Sequence, residues 1–261
     1  MHAPAPKIIA PDLLLMAYRS GIFPMADSRD DEEVYWVEPR ERAVIPLDGL
    51  KVSRSLAKAV RQDRYRVTCN ADFEGVIAAC AAPRPGHPES WISDRIAASY
   101  RALHMAGHAH SIECWQGEEL VGGLYGVGFD RAFCGESMFS RATDASKVAL
   151  AWLVALLGRS GYSLLDCQFM TGHLASLGAT PVSREAYLEK LAEAVAAGPA
   201  AALPEAYVSL LGEAEALGVG VGLGEAAGAG ASSSSSSSAS SSWAGASSPG
   251  KLILQSLTQT S

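Results

Sequence analysis

From Ala132 to Gln168 the chain reads as strand, helix, strand, and the helix is apolar on nearly every side. Ala132 to Glu136 alternates as a strand. Asp144 is placed to cap a helix over Ala145 to Leu157, Ser160-Gly161 ends it, and Tyr162 to Gln168 reads as a second strand. A crossover of this length joins two parallel strands of one sheet by a right-handed connection. A helix without a polar stripe has to be buried. The C-terminal ends of the two strands then fall on one side, where ligands of parallel sheets collect.

Polar residues stand at those ends. Glu136 is expected to close the first strand, and Asp166 and Gln168 the second. Two residues apart in a strand, Asp166 and Gln168 share a face. Three polar side chains embedded in apolar sequence therefore converge on one crevice and are candidates for catalysis. The alternative is structural, with Asp166 capping the following turn and Glu136 solvated, since carboxylates serve both ends.

The rest of the chain supplies cover for this unit. Pro11-Asp12 opens a short helix that ends at Gly21, and Gly21 to Pro24 reads as a forced turn. Residues 34–37 and 42–46 read as strands interrupted by Pro39. Ser53 to Gln62, Phe73 to Ala81, Asp94 to Ala106 and Arg184 to Ala196 read as helices. Strands over His110 to Trp115 and Leu120 to Val127 precede the one at Ala132, with turns near Gly117 and Gly128. Gly122 and Gly123 inside a strand call for a bulge or a close backbone approach. After Gly198, Ala, Gly and Ser take over, with an unbroken serine run from Ser232 to Ser238. Such a segment buries too little apolar surface to offset its chain entropy, so 199–250 is expected to be disordered. Lys251-Leu252-Ile253-Leu254 is a candidate for a short docked element.

With 261 residues, 48% hydrophobic and 19% charged, the chain can build one large core or two small ones. Its net charge of -7 does not mark a nucleic-acid binder, but an average hides local patches. From Lys51 to Arg66 there are six basic residues and one acid. Arg54, Lys58 and Arg61 share one helix face and form a candidate anion-binding surface; a plain solvated face is the alternative. Five cysteines without a CxxC pair argue against a disulfide framework or structural zinc. No apolar run reaches the length of a membrane span. A cytoplasmic protein is expected.

Familiar catalytic signatures are missing. Gly135-Glu136-Ser137-Met138-Phe139 lacks the second glycine of GxSxG. There is no GxxxxGK[ST], and Gly126-Val127-Gly128 does not extend to GxGxxG. His104 and His108 are four apart but lack the glutamate of HExxH, so no metal is expected. Trp36 and Trp91, which flank proline-rich loops, are candidates for a pocket wall.

The sequence resembles the bacterial leucyl/phenylalanyl-tRNA–protein transferases over about residues 11–195. The resemblance is carried by Ala17-Tyr18-Arg19-Ser20-Gly21-Ile22-Phe23-Pro24, Trp36 with Pro39-Arg40, and His108-Ala109-His110-Ser111-Ile112-Glu113. It continues through Leu120-Val121-Gly122-Gly123-Leu124-Tyr125-Gly126-Val127, Gly135 to Ser140, Ala145-Ser146-Lys147 and Asp166-Cys167-Gln168. It implies an α+β fold: a small N-terminal α+β domain over 1–66, a GNAT-like acyltransferase domain over 67–198, and a disordered, low-complexity tail over 199–261. It also implies transfer of Leu or Phe, with Met a further candidate, from aminoacyl-tRNA to the N-terminal Arg or Lys of an acceptor protein. That transfer marks the acceptor for N-end-rule degradation.

By motif match, Asp166, Gln168 and Glu136 fall on the family's polar active-site positions. Trp36, Trp91, Leu124, Phe133, Met138, Leu150, Leu153 and Leu165 fall around its aminoacyl pocket. Arg54, Lys58 and Arg61 become candidates for the tRNA surface. No cofactor is implied, because the tRNA ester is already activated. Asp166 would orient the acceptor amine and, directly or through Gln168, help remove its proton. The chain departs from relatives at Tyr35 and Met25, where members carry Trp, and at Leu153, where some carry an aromatic residue. A CoA-dependent N-acyltransferase and a non-catalytic adaptor for basic N-termini are the competing readings. The first is disfavoured because [QR]xxGx[GA] is absent before residue 145.

Overall fold

Proline at the first helical position and an apolar face start the N-terminal helix α1, Pro11–Arg19, which buries Leu14, Leu15, Ala17 and Tyr18. The chain is described from a computed structural model covering residues 8–83, 89–225 and 248–258. Strands β1, Phe23–Met25, and β2, Tyr35–Val37, follow as an antiparallel pair in a sheet of their own. Part of the expected turn at Gly21–Pro24 is therefore strand. Strand β3, Glu41–Val44, does not join that pair. It enters the main sheet, although it lies well before residue 66.

Ser53 caps helix α2, Arg54–Arg61, by accepting the amide of Leu56 at 3.2 Å. Strand β4, Arg66–Cys69, leads to helices α3, Phe73–Ala81, and α4, Asp94–Met105. A meander of β5, Ala109–Gln116, β6, Glu119–Phe129, and β7, Ala132–Ser140, forms the centre of the sheet. Helix α5, Ala145–Ser160, and strand β8, Leu164–Asp166, complete the crossover. Strands β7 and β8 pair in parallel, Ala132 with Leu164 and Cys134 with Asp166, as the connection length requires. A short helix α6, Gly172–Ser176, strand β9, Thr180–Ser183, and helix α7, Arg184–Ala196, follow. The main sheet runs β4-β5-β6-β7-β8-β3-β9. The α+β class expected from the sequence is the class found.

One core lies on each face of the sheet. On one side α5 is buried almost all round, with Leu150, Leu153, Leu156 and Leu157 all under 3% exposed. Gly122 is needed where α5 meets the sheet, since a β-carbon there would sit 2.5 Å from that of Ala145. This is the close approach expected of glycine in a strand. Asp144 does not cap α5 with its side chain. It lies in the left-handed region at φ 64°, and its carboxylate pairs with Lys147 at 2.9 Å. On the other face α1, α3, α4 and α7 bury Phe73, Ile96, Tyr100 and Tyr187.

The outer side of α5 is covered by residues expected to be disordered. Residues 203–225 form helix α8, Leu203–Glu225, and residues 249–258 form α9, Pro249–Thr258. Leu203, Ala206, Leu210 and Ala214 recur at helical spacing and are buried against this core, as is Ile253 of α9. The helical pattern outweighs the Ala-rich composition because α5 presents an apolar face to cover. The serine run lies outside the described residues. Among the described residues no helix is long and apolar enough to cross a membrane.

Candidate active site

The site forms where β7 outruns β8. Pairing between the two ends at Cys134 and Asp166, while β7 continues to Ser140. Glu136 therefore does not end its strand as expected. It is the extra residue of a bulge: Tyr125 pairs with Ser137 and Gly126 with Gly135, leaving Glu136 without a partner on β6. A bulge re-aims a side chain, and here it turns Glu136 into the gap between the strands. After Asp166 the backbone crosses to β3, with Cys167 donating to the carbonyl of Ala43 at 2.8 Å. Gln168 then takes a left-handed conformation, φ 60°. It does not continue a strand beside Asp166, and its amide nitrogen donates instead to Glu136 Oε1 at 2.9 Å.

Asp166 is fully buried and its carboxylate is saturated. Arg42 donates to Oδ2 at 2.6 Å, Tyr187 at 2.9 Å and the Cys134 thiol at 3.7 Å, while the backbone N–H of Gln168 donates to Oδ1 at 2.8 Å. Arg42 is itself buried, bonded to the carbonyl of Gly21 and stacked on Phe23 and Tyr187 at 4.8 and 4.4 Å. Burial pushes the Asp166 carboxyl up, and Arg42 foremost pulls it back. Asp166 thus fixes the turn that presents Gln168.

Glu136 has neutral partners. The Tyr18 hydroxyl lies 2.8 Å from Oε1, the Tyr100 hydroxyl 2.9 Å from Oε2, and the two hydroxyls lie 2.5 Å from each other. Burial pushes the Glu136 carboxyl up to about 7, against the lowering by the two tyrosines. Burial, then the nearby Glu136, holds both phenols well above their ordinary range.

Two adjoining cavities share Glu136, Cys167, Thr171 and Leu174. The first, of about 280 Å³, is apolar and lined by Leu124, Met138, Leu150, Leu153 and Leu165 together with Tyr125 and His173. The second, of about 200 Å³, is lined by Phe23, Met25, Trp91, Gln168 and Phe169. A larger cavity, of about 870 Å³, lies at the opposite end of β8 and contains none of the candidate residues. The candidate residues gather at the smaller pair, where a buried carboxyl and an amide meet.

The structure thus brings together five of the eight pocket candidates, with Trp91 on the adjoining cavity. Phe133 is buried in the core edge-on to Tyr162, and Trp36 is 41% exposed on β2; neither lines these two cavities. Arg54, Lys58 and Arg61 are exposed on the outer side of α2, opposite buried Leu56, Ala59 and Val60, and have no ion-pair partner among the described residues. Sequence reasoning missed Tyr18, Arg42, Tyr100 and Tyr187. The one available signal was Arg42, a charge inside an apolar strand stretch.

Fold and site describe an α+β protein in which an apolar cavity, an adjoining mixed cavity and a buried, titratable carboxyl meet. Comparison with known sequences narrows this. The family described as leucyl/phenylalanyl-tRNA protein transferase matches residues 44–192, and its N-terminal domain matches residues 8–40. The chain belongs to that family. A leucyl/phenylalanyl-tRNA–protein transferase of Novosphingobium aromaticivorans is 58% identical over 259 residues, covering 98% of both chains. Counterparts of Zymomonas mobilis and Rhizorhabdus wittichii are 59% and 58% identical, covering 72% and 75% of this chain and 70% and 80% of theirs.

Proposed function

We propose that this enzyme transfers Leu or Phe from aminoacyl-tRNA to the N-terminal Arg or Lys of acceptor proteins in the cytoplasm, marking them for N-end-rule degradation. The reading rests on one observation: Glu136 stands where an apolar cavity of side-chain size adjoins a second cavity holding Gln168. The first accepts the aminoacyl side chain among Leu124, Met138, Leu150, Leu153 and Leu165. The second receives the acceptor N-terminus.

The acceptor's α-amine, of ordinary pKa about 7.7–8.0, attacks the ester carbonyl when neutral. Gln168 orients it through its amide, and Asp166 acts through Gln168 because its own oxygens are occupied. The GNAT-like catalytic role falls to residues 67–198, with Arg42 of β3 contributing from outside that range. Arg54, Lys58 and Arg61 contact tRNA phosphates.

The test is a panel of labelled aminoacyl-tRNAs with a peptide beginning with Arg. Leu and Phe should transfer; Val, one methylene short of Leu, should lag by roughly 10-fold or more, as an apolar pocket discriminates by about 1–3 kcal/mol per methylene, and Ile should lag because its Cβ is branched. Equal transfer of all four would reject the pocket. Replacing Arg54, Lys58 and Arg61 by Ala should raise KM for aminoacyl-tRNA and flatten its salt dependence, with kcat unchanged. An unaltered salt slope would remove α2 from the tRNA surface.

A further inference from the structure

The contacts around Glu136 close into a ring, and the ring can be counted in protons. Tyr18 touches Oε1, Tyr100 touches Oε2, and the two hydroxyls touch each other. Each of the three edges needs one hydrogen. Two phenols supply two, and neither phenol can supply more. With an ionised carboxylate one of the three edges would bring two oxygens to 2.5, 2.8 or 2.9 Å with nothing between them. The third hydrogen can come only from the carboxyl.

Gln168 sets the direction. Its amide donates to Oε1, so Oε1 is the accepting oxygen and the acid proton sits on Oε2. The ring then reads Oε2–H to Tyr100, Tyr100 O–H to Tyr18, and Tyr18 O–H to Oε1. Every group gives one hydrogen bond and takes at least one, which is the arrangement a buried polar network needs. Among the described residues no cation is bonded to Glu136: Arg42 is taken up by Asp166 and Gly21, and its pull toward the ionised form is outweighed by burial and by the nearby Asp166.

We infer that Glu136, buried in a closed ring of hydrogen bonds with Tyr18 and Tyr100, is a neutral carboxylic acid and serves as the proton donor to the leaving ribose oxygen. This rests on the aminoacyl transfer proposed above. The acceptor nitrogen forms the C–N bond, and the ester C–O bond breaks. The acid proton passes from Glu136 to the departing oxygen, which leaves as a hydroxyl. The nitrogen, positively charged after attack, returns a proton to the carboxylate and restores the acid. Atoms and charge balance without a cofactor. Tyr18 and Tyr100 are positioning residues in this scheme.

Infrared difference spectroscopy tests the ring. The neutral acid's carbonyl stretch should appear in wild type minus Glu136→Gln at about pH 6 and vanish at about pH 9, with a midpoint near about 7. It should shift in Tyr100→Phe, where the acid proton loses its acceptor. A wild-type pH titration gives the same band without depending on any variant's folding. Absence of the band at about pH 6 overturns the proposal. In the transfer assay Glu136→Gln, which keeps the ring's shape but has no acid proton, should lose roughly 10²-fold or more in kcat with little change in KM. Wild-type kcat in that variant overturns the donor role. If wild type itself transfers neither Leu nor Phe, the reaction fails; if it transfers but Glu136 carries no proton, only the ring fails.

Discussion

Asp166 and Glu136 lie on neighbouring strands and are both almost out of contact with water, at 0% and 7% exposure. Their partners differ in charge. Asp166 meets a guanidinium, a phenol, a thiol and a backbone N–H, all donating to it. Glu136 meets two phenols and an amide. A bonded cation favours the charged form of a buried carboxyl and ties it to its neighbours, whereas a carboxyl among neutral groups keeps its proton to higher pH. The same residue chemistry therefore gives a brace at one position and a titrating group at the other. The cavities follow this division: both are lined by Glu136 and neither by Asp166.

The comparison breaks most visibly at the brace. Asp166→Ala leaves Arg42 buried without its counter-ion, which should cost about 3–5 kcal/mol. It also frees the backbone N–H that anchors Gln168 in its left-handed turn, so transfer should be lost as well. Urea unfolding and the Phe-tRNA assay measure the two effects. A variant as stable as wild type would mean that Asp166 does not brace this corner.

Parts of this arrangement were legible in the sequence. The ends of α3 and α7 could be read because Asp72 and Ser183 cap them locally, and the meander because Gly117 and Asp130 turn it. The strands β4 and β9 were missed: they are four residues long, lie at the sheet edges, and one contains Pro181. Short edge strands depend on pairing that no local pattern encodes. Glu136, Asp166 and Gln168 were found as a group, but for a partly mistaken reason. Asp166 and Gln168 were expected to share a face at the end of one strand, with Glu136 at the end of its neighbour, whereas a bulge and a left-handed residue bring Gln168 to Glu136. Tyr18 and Tyr100 sit on apolar helix faces and read as core; only the packing of α1 and α4 brings their hydroxyls to one carboxyl.

The second way to sharpen the comparison is pH. Glu136 binds its proton more tightly in the folded chain, at about 7, than at its ordinary value of 4.5. Its neutral form therefore favours folding fully below about 4.5, and that contribution is lost as pH rises through about 7. Wild type should lose on the order of 3 kcal/mol relative to Glu136→Gln across this window. Urea midpoints of both proteins at about pH 5 and about pH 8 measure the difference. A constant gap between them would mean that Glu136 is ionised throughout.

The smallest effect separates the two carboxyls by their tyrosines. Tyr187→Phe removes one donor from Asp166 Oδ2, which keeps Arg42 at 2.6 Å and the Cys134 thiol. A hydrogen bond to a charged group is worth about 1.5–3 kcal/mol, and the low end applies because the remaining donors still satisfy the oxygen. Activity should fall little, and the pH dependence of kcat should keep the wild-type midpoint, since Asp166 lines neither cavity. Tyr100→Phe removes a comparable hydroxyl from Glu136 and should move that midpoint. Paired pH–rate profiles make the measurement. If both variants moved it equally, the two carboxyls would titrate as one unit, and the division between a brace and a proton donor would fail.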